Sequence, residues 1–369
     1  MKIKIAMLLS LAVILVAALN ILPTVSATEA SLTSAKAACV TEVTSKRVLY
    51  SKNADLRLPM ASTTKIATAL TVLNYVDDID RVVTVQAEAC GIEGSSVYLT
   101  AGEKLTVRDL LYGLMLRSGN DCAVQLALST SGSVENFVEC MNNLALSLGC
   151  KDTHFVTPHG LHDEKHYTTA HDLAVITCEA LKNPTFTEIV SSKIYKTSTD
   201  NKVRVFVNKN KLLTKYSFAD GVKTGYTQKA GRCFVGSATK NNMQTVCVLL
   251  NCGPMFEDCQ KLLDKSFAEY RLVTVIRKFQ VFGNMFDGNK RLFYVSPQEV
   301  KYPIRNGEKL RTDVTLTNAL QTASVYVDDK SVGTFNLVEM PNSCFHKEID
   351  FTKTVGTIQT IYNSKGKSV

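Results

Sequence analysis

Strand-like runs stand at both ends of the first 270 residues and helical periodicity fills the space between them, which leaves few folds open. Cys39–Val43 and Arg47–Ser51 are short β-type runs around a Thr44-Ser45-Lys46 turn and predict a hairpin. A helical tract follows. Ser62 to Tyr75 is rich in Ala, Leu, Thr and Ile, and Thr106-Val107-Arg108-Asp109 is a capping box leading into Leu110, Leu111, Leu114 and Met115. Ser133 opens a helix carrying Val134, Phe137, Met141, Leu144 and Leu148 that closes at Gly149, and Thr169 to Asp172 caps another running to about Leu181. Alternation then returns at Val203, Val205 and Val207; Gly221–Tyr226, Arg232–Thr239 and Met243–Asn251 read as successive strands, and Met255 to Tyr270 as a closing helix. Strands need partners, so the two ends are expected to assemble one sheet with the helical tract packed beside it, an α+β domain. From about Val275 only short alternating runs between turn residues remain, predicting a small all-β second domain. The expected division is 1–27, 28–272 and 273–369.

Residues 1–27 set the compartment. Lys2 and Lys4 precede an apolar run from Ile5 to Leu22, Pro23 breaks it, and Val25-Ser26-Ala27 offers small residues for cleavage after Ala27. This pattern predicts a secretory signal peptide, with an uncleaved signal-anchor as the alternative; either one exports the chain. With 45% hydrophobic and 21% charged residues the chain is not disordered, and without a second long apolar run it is not a polytopic membrane protein. A formal charge of +8 suits nucleic acid, a membrane surface or an anionic wall polymer, and export makes the cell envelope the expected target, with no nucleic acid. The eleven cysteines are odd in number and contain no C-x-x-C pair, which argues against both a disulfide framework and a zinc site. Most lie in apolar stretches, so mostly free, buried thiols are expected.

Three short segments can carry chemistry. In Ser62-Thr63-Thr64-Lys65, a helix beginning at Ser62 puts Lys65 one turn later on the same face, where an amine of lowered pKa can take the proton of a serine nucleophile. Alone, the pair is also what an N-cap and a solvated lysine look like. Ser118-Gly119-Asn120 presents a hydroxyl and a carboxamide on a turn between helices, or is simply a turn. Lys223-Thr224-Gly225 on a strand offers a cation, a hydroxyl and a close-approach glycine for a carboxylate, or is an exposed strand lysine.

Together and in this order, S-x-x-K, S-x-N and K-T-G form the pattern of penicillin-recognising serine enzymes. Arg57-Leu58-Pro59-Met60-Ala61-Ser62-Thr63-Thr64-Lys65, Leu110 through Asp121, Pro158-His159-Gly160-Leu161 through His166-Tyr167-Thr168-Thr169-Ala170, and Asp220 through Thr227 resemble the D-alanyl-D-alanine carboxypeptidases, the low-molecular-mass penicillin-binding proteins. The resemblance covers about 38–270, and more loosely the tail. It implies a serine β-lactamase/transpeptidase-like fold, antiparallel sheet flanked by helices, followed by a β-domain. It also implies that Ser62 attacks the carbonyl between the two terminal D-alanines of a peptidoglycan stem peptide, with Lys65 as base and Ser118 relaying a proton to the leaving amine. Asn120 would hold the substrate amide, and Lys223, Thr224 and Gly225 the terminal carboxylate. Backbone N–H groups at Ser62 and Tyr226 would stabilise the oxyanion, β-lactams would be covalent inhibitors, and no cofactor or metal is required.

Several rivals use or replace this apparatus. His162-Asp163-Glu164-Lys165-His166 is a near miss for H-E-x-x-H, with Asp in place of Glu and Pro158 and Gly160 nearby pointing to a loop. A β-lactamase shares the acylation residues, but Glu139–Asn143 and Glu179–Asn183, which have the Glu-x-x-x-Asn spacing, lie in predicted amphipathic helices. Transpeptidase and endopeptidase activities use the same residues. A catalytically silent wall-binding protein is the reading from another class, and it is expected to have lost a motif residue, which this chain has not. Relatives often end in an amphipathic membrane anchor; Thr357–Val369 shows no such stripe.

Overall fold

In the computed structural model, β1 (Ala37–Glu42) and β2 (Val48–Lys52) form the expected hairpin. The structure describes residues 32–199, 202–287, 290–317, 319–341 and 358–362, so the signal-peptide expectation for 1–27 falls outside them. The chain continues through a 3-10 turn (Ala61–Thr64) into α1 (Lys65–Tyr75), β3 (Val82–Thr84), β4 (Lys104–Thr106), α2 (Val107–Tyr112), α3 (Asn120–Ser131), α4 (Val134–Ser147), α5 (Ala170–Ala180) and α6 (Pro184–Ser191). Next come β5 (Ile194–Thr199), β6 (Lys202–Val207), α7 (Leu212–Lys215), β7 (Ala219–Thr227), β8 (Gly231–Lys240), β9 (Met243–Leu250) and α8 (Met255–Glu269). The main sheet runs in the order β2-β1-β9-β8-β7, every pair antiparallel, so the two chain ends meet as β1 against β9.

Period-two alternation explains why this sheet is covered on both faces. Ala37 and Cys39 of β1, Val246, Val248 and Leu250 of β9, and Cys233 and Val235 of β8 join the core under the helical body. Their neighbours Ala38, Val40, Cys247, Leu249, Phe234 and Ala238 pack on the other face with Leu262 and Leu263 of α8. Ten described cysteines are free thiols, eight of them buried, in keeping with their apolar neighbourhoods; Cys344 falls outside the described residues. Burial raises the thiols of Cys39 and Cys178 to about 12, which makes them inert.

Beyond α8 all described elements are strands: β10 (Tyr270–Ile276), β11 (Val281–Asp287), β12 (Lys290–Val295), β13 (Val300–Arg305), β14 (Leu310–Leu316), β15 (Gln321–Val327), β16 (Lys330–Asn336), β17 (Val338–Pro341) and β18 (Ile358–Tyr362). They enclose a separate core that includes Ile276, Phe282, Val314, Ala323 and Val325. β10 leaves α8 without a linker, so the expected boundary at 272/273 falls inside a strand, and Thr33–Val369 clusters as one compact unit. β10 and β13 escape the periodicity because they pair only with each other and β13 carries Pro303. Arg47 fastens the first hairpin to these strands. Its guanidinium donates to the Pro303 carbonyl at 2.6 Å and to Glu308, and it lies 5.2 Å from the ring centres of both Tyr270 and Tyr302. Among the described residues no helix is long and apolar enough to cross a membrane.

Candidate active site

Ser62 sits in the 3-10 turn that feeds α1, and its neighbours explain why the turn holds its shape. Thr63 Oγ1 donates to the Met60 carbonyl at 2.7 Å, Thr64 Oγ1 donates to the Ala61 carbonyl at 2.8 Å, and Ala61 occupies the left-handed region at φ +51. Gly225 of β7 packs straight onto this turn. A Cβ built there would stand 3.0 Å from Ser62 N, 3.1 Å from Thr63 N and 3.2 Å from the Met60 carbonyl oxygen, so only glycine lets the strand come so close without a shift.

Lys65 follows one turn later, fully buried, with its Nζ among three oxygens: 2.9 Å from Ser62 Oγ, 2.6 Å from Asn120 Oδ1 and 2.8 Å from the His159 carbonyl. Burial, reinforced by the nearby Lys223 charge, holds its pKa well below the usual lysine range. Asn120 is placed by the Ser118-Gly119-Asn120 corner. A π-helical turn (Gly113–Arg117) ends at Ser118, whose left-handed φ of +64 reverses the chain so that α3 can start at Asn120. The Asn120 carboxamide is engaged at both ends, since its Nδ2 donates to the Glu93 carbonyl. The carboxamide expected to hold the substrate amide is thus also tied to Lys65 and the 93–99 segment. That segment is clamped by the buried Asp121 carboxylate, which accepts from Ser96 Oγ and from the Val97 and Leu99 N–H groups.

Lys223 is not an exposed strand lysine but is buried, at 1% exposure, and its Nζ donates to the Thr224 carbonyl at 3.0 Å. Burial, with Lys209 contributing, brings its pKa down to about 7. Ser62, Ser118, Thr224, Gly225 and Tyr226 line one cleft of about 580 Å³, while Lys65, Asn120 and Lys223 lie buried around it. The seven residues singled out in the sequence therefore converge. Lys209, Lys211 and Arg232 add positive charge to the same cleft, and Lys209 Nζ reaches Ser95 Oγ at 3.2 Å. Sequence reasoning did not find the His159 and Glu93 carbonyls or Ser95, because a backbone acceptor leaves no signature in residue type.

The rival motifs fall elsewhere. His162 to His166 is a loop, as Pro158 and Gly160 suggested, and its two histidines face different partners, Glu164 for His162 and Thr64 for His166. Glu179 pairs with Lys46 and Lys182 on the surface.

The comparisons agree with this geometry. The family model Peptidase S11, described as D-alanyl-D-alanine carboxypeptidase, matches residues 24–253. The D-alanyl-D-alanine carboxypeptidase DacF of Bacillus subtilis is 38% identical over 67% of this chain, and the match spans 65% of that relative's length. Penicillin binding protein 5 of Haemophilus influenzae superposes with a TM-score of 0.73 at 28% identity, covering 84% of this chain and 97% of that one. A Streptomyces DD-transpeptidase superposes with a TM-score of 0.61 at 34% identity, covering 64% and 98%. The α+β fold with a serine peptidase sheet and trailing β-strands is the one the sequence led us to expect. The chain belongs to the D-alanyl-D-alanine carboxypeptidase family, among the low-molecular-mass penicillin-binding proteins.

Proposed function

We propose that the chain is an exported serine carboxypeptidase that removes the terminal D-alanine from peptidoglycan stem peptides at the outer side of the cytoplasmic membrane. The observation that carries this reading is the oxygen triad around Lys65 Nζ. A neutral amine has two N–H donors and one lone pair. Asn120 Oδ1 and the His159 carbonyl can only accept, so they take the two N–H groups and the lone pair is left facing the Ser62 hydroxyl. The buried site favours the neutral form that this arrangement needs.

Lys65 then takes the Ser62 proton as Oγ attacks the peptide carbonyl between the two D-alanines. The oxyanion is received by backbone N–H groups of Ser62 and Tyr226, Ser118 relays to the leaving amine the proton that Lys65 took from Ser62, leaving Lys65 neutral again, and D-alanine departs. Water hydrolyses the ester and returns the enzyme. β7 is the sheet's edge strand, so an extended peptide can lie along it with its carboxylate at Lys223 and Thr224. The basic wall of Lys209, Lys211 and Arg232 suits an anionic peptide. The same acylation by a β-lactam ring, whose leaving group stays attached, yields a long-lived penicillin adduct. In this reading residues 28–272 carry catalysis, and 273–369 are an accessory β-domain docked through Arg47. A role in cell shape follows from trimming the wall's cross-linking donors.

Intact-mass analysis after adding penicillin, together with assay of D-alanine release from a peptide ending in D-Ala-D-Ala, tests this. A stable adduct and D-alanine release, both abolished in Ser62→Ala, are expected. Fast penicillin turnover without D-alanine release would instead identify a β-lactamase, transfer to an added amine acceptor a transpeptidase, and no adduct a binding role.

The pH profile of kcat/KM should be bell-shaped. The rising limb follows Lys65 losing its proton. The falling limb sits near pH 7, because Lys223, with its pKa of about 7, is cationic below that pH and loses the charge that holds the substrate carboxylate above it. A kcat/KM that stays flat to pH 9 would remove Lys223 from carboxylate binding.

A further inference from the structure

Five histidines crowd residues 154–171, and the reaction as described uses only one backbone carbonyl from this stretch. His166 stands out among them: it is 3% exposed, and both ring nitrogens are committed. Val156 N donates to Nδ1 at 2.9 Å, with Thr157 N further away at 3.4 Å. Backbone N–H groups only donate, so Nδ1 carries no proton and the ring's hydrogen is on Nε2. Nε2 lies 2.8 Å from Thr64 Oγ1 and therefore donates to it, leaving the threonine hydrogen for the Ala61 carbonyl. The result is one directed chain of hydrogen bonds from the 156–160 segment, through His166, to the turn that holds Ser62.

That segment supplies the carbonyl that orients Lys65. It is laced to the Ser62 turn and α1 at three points: through His166 to Thr64 of the turn, by Thr68 Oγ1 to the Pro158 carbonyl at 2.6 Å, and by Lys65 Nζ to the His159 carbonyl at 2.8 Å. Resting on the Ser62–Lys65 reading above, we infer that His166 is a positioning residue for acylation, holding the His159 carbonyl and the Ser62 turn in register so that the Lys65 lone pair points at Ser62 Oγ. Burial keeps the imidazole neutral, with its pKa lowered to about 4, so the tautomer persists over the working pH range.

The test follows the rate of penicillin-adduct formation against pH for wild type, His166→Leu, His166→Gln and Thr64→Val, with thermal unfolding of each in parallel. His166→Leu is expected to slow acylation about tenfold or more. It should also move the rising limb to higher pH, since water entering beside Lys65 relieves the burial that lowers its pKa. His166→Gln, whose side-chain amide can still donate to Thr64, should recover most of the rate and restore the limb. Thr64→Val should reproduce the Leu effect, and the double variant His166→Leu/Thr64→Val should lose little more than either alone. If His166→Leu does not fold, Thr64→Val carries the comparison. Variants that acylate like wild type overturn the inference, as does a loss of rate that leaves the pH limb in place and is not recovered by Gln, which marks a merely structural histidine. Absence of any adduct on the wild-type protein overturns the acyl-enzyme reading itself, and this inference with it.

Discussion

Lys65→Arg is expected to slow penicillin acylation and D-alanine release by roughly a thousandfold or more, the upper range for losing a positioned general base. Arginine keeps hydrogen-bond donors for Asn120 Oδ1 and the His159 carbonyl, but it carries a permanent positive charge in place of the neutral amine and does not give up a proton at any working pH. The substitution thus separates the lone pair from the hydrogen-bond donors. Lys65→Met provides the other half of the comparison, removing the buried amine altogether while keeping the length of the side chain. It leaves those two oxygens without their donor, at a cost of about 1–3 kcal/mol each, and relieves the desolvation of a group whose burial already depresses its pKa. Adduct formation followed by intact mass, with circular dichroism confirming the fold, reads both. Either variant acylating within tenfold of wild type would show that Lys65 is not the base.

Gly160→Ala is expected to impair the site almost as badly from outside it. Gly160 has φ +85, and a Cβ there would stand 2.1 Å from the Ala61 carbonyl oxygen and 2.6 Å from its carbon. Those are backbone atoms of the residue before Ser62, which is itself held at φ +51, so the overlap is relieved only by moving the Ser62 turn or the His159 carbonyl that precedes Gly160. Displacement of either by about 1 Å costs on the order of a hundredfold in rate. The accompanying loss of stability should be about 1–3 kcal/mol, as for other overpacked positions. The two readouts separate: acylation should collapse while most of the protein stays folded at room temperature. A Gly160→Ala protein that acylates at the wild-type rate would show that the 156–160 segment does not set the geometry of the site.

Most of the architecture was legible because burial imposes a period on the sequence. β1, β8 and β9 alternate or run apolar, and the capped helices at Thr106, Ser133 and Thr169 carry the side-chain hydrogen bonds that their residue types promise. Elements without such a signal were missed. β5 reads Ile194-Tyr195-Lys196-Thr197-Ser198-Thr199, mostly polar, and it is held in place by the Tyr195 ring stacked on Tyr112 at 3.6 Å, a long-range contact. β3 and β4 are three residues each, too short to show a period. α6 has a readable start, with Asn183 capping and Pro184 in the first turn, but at eight residues it is too short for its period to stand out.

The sequence alone singled out the candidate side chains, because a nucleophile, its base and a carboxylate-binding cation must be particular residue types. The order of S-x-x-K, S-x-N and K-T-G placed them on a helix start, a turn and a strand. Tertiary structure alone decided what surrounds them. Burial of Lys65 and Lys223, the glycine approach of β7 to the Ser62 turn, and the backbone carbonyls of Glu93 and His159 all arise from segments far apart in the chain. A pKa is set by surrounding volume and charge, and a hydrogen bond by orientation, and neither is written at the position of the residue that depends on it.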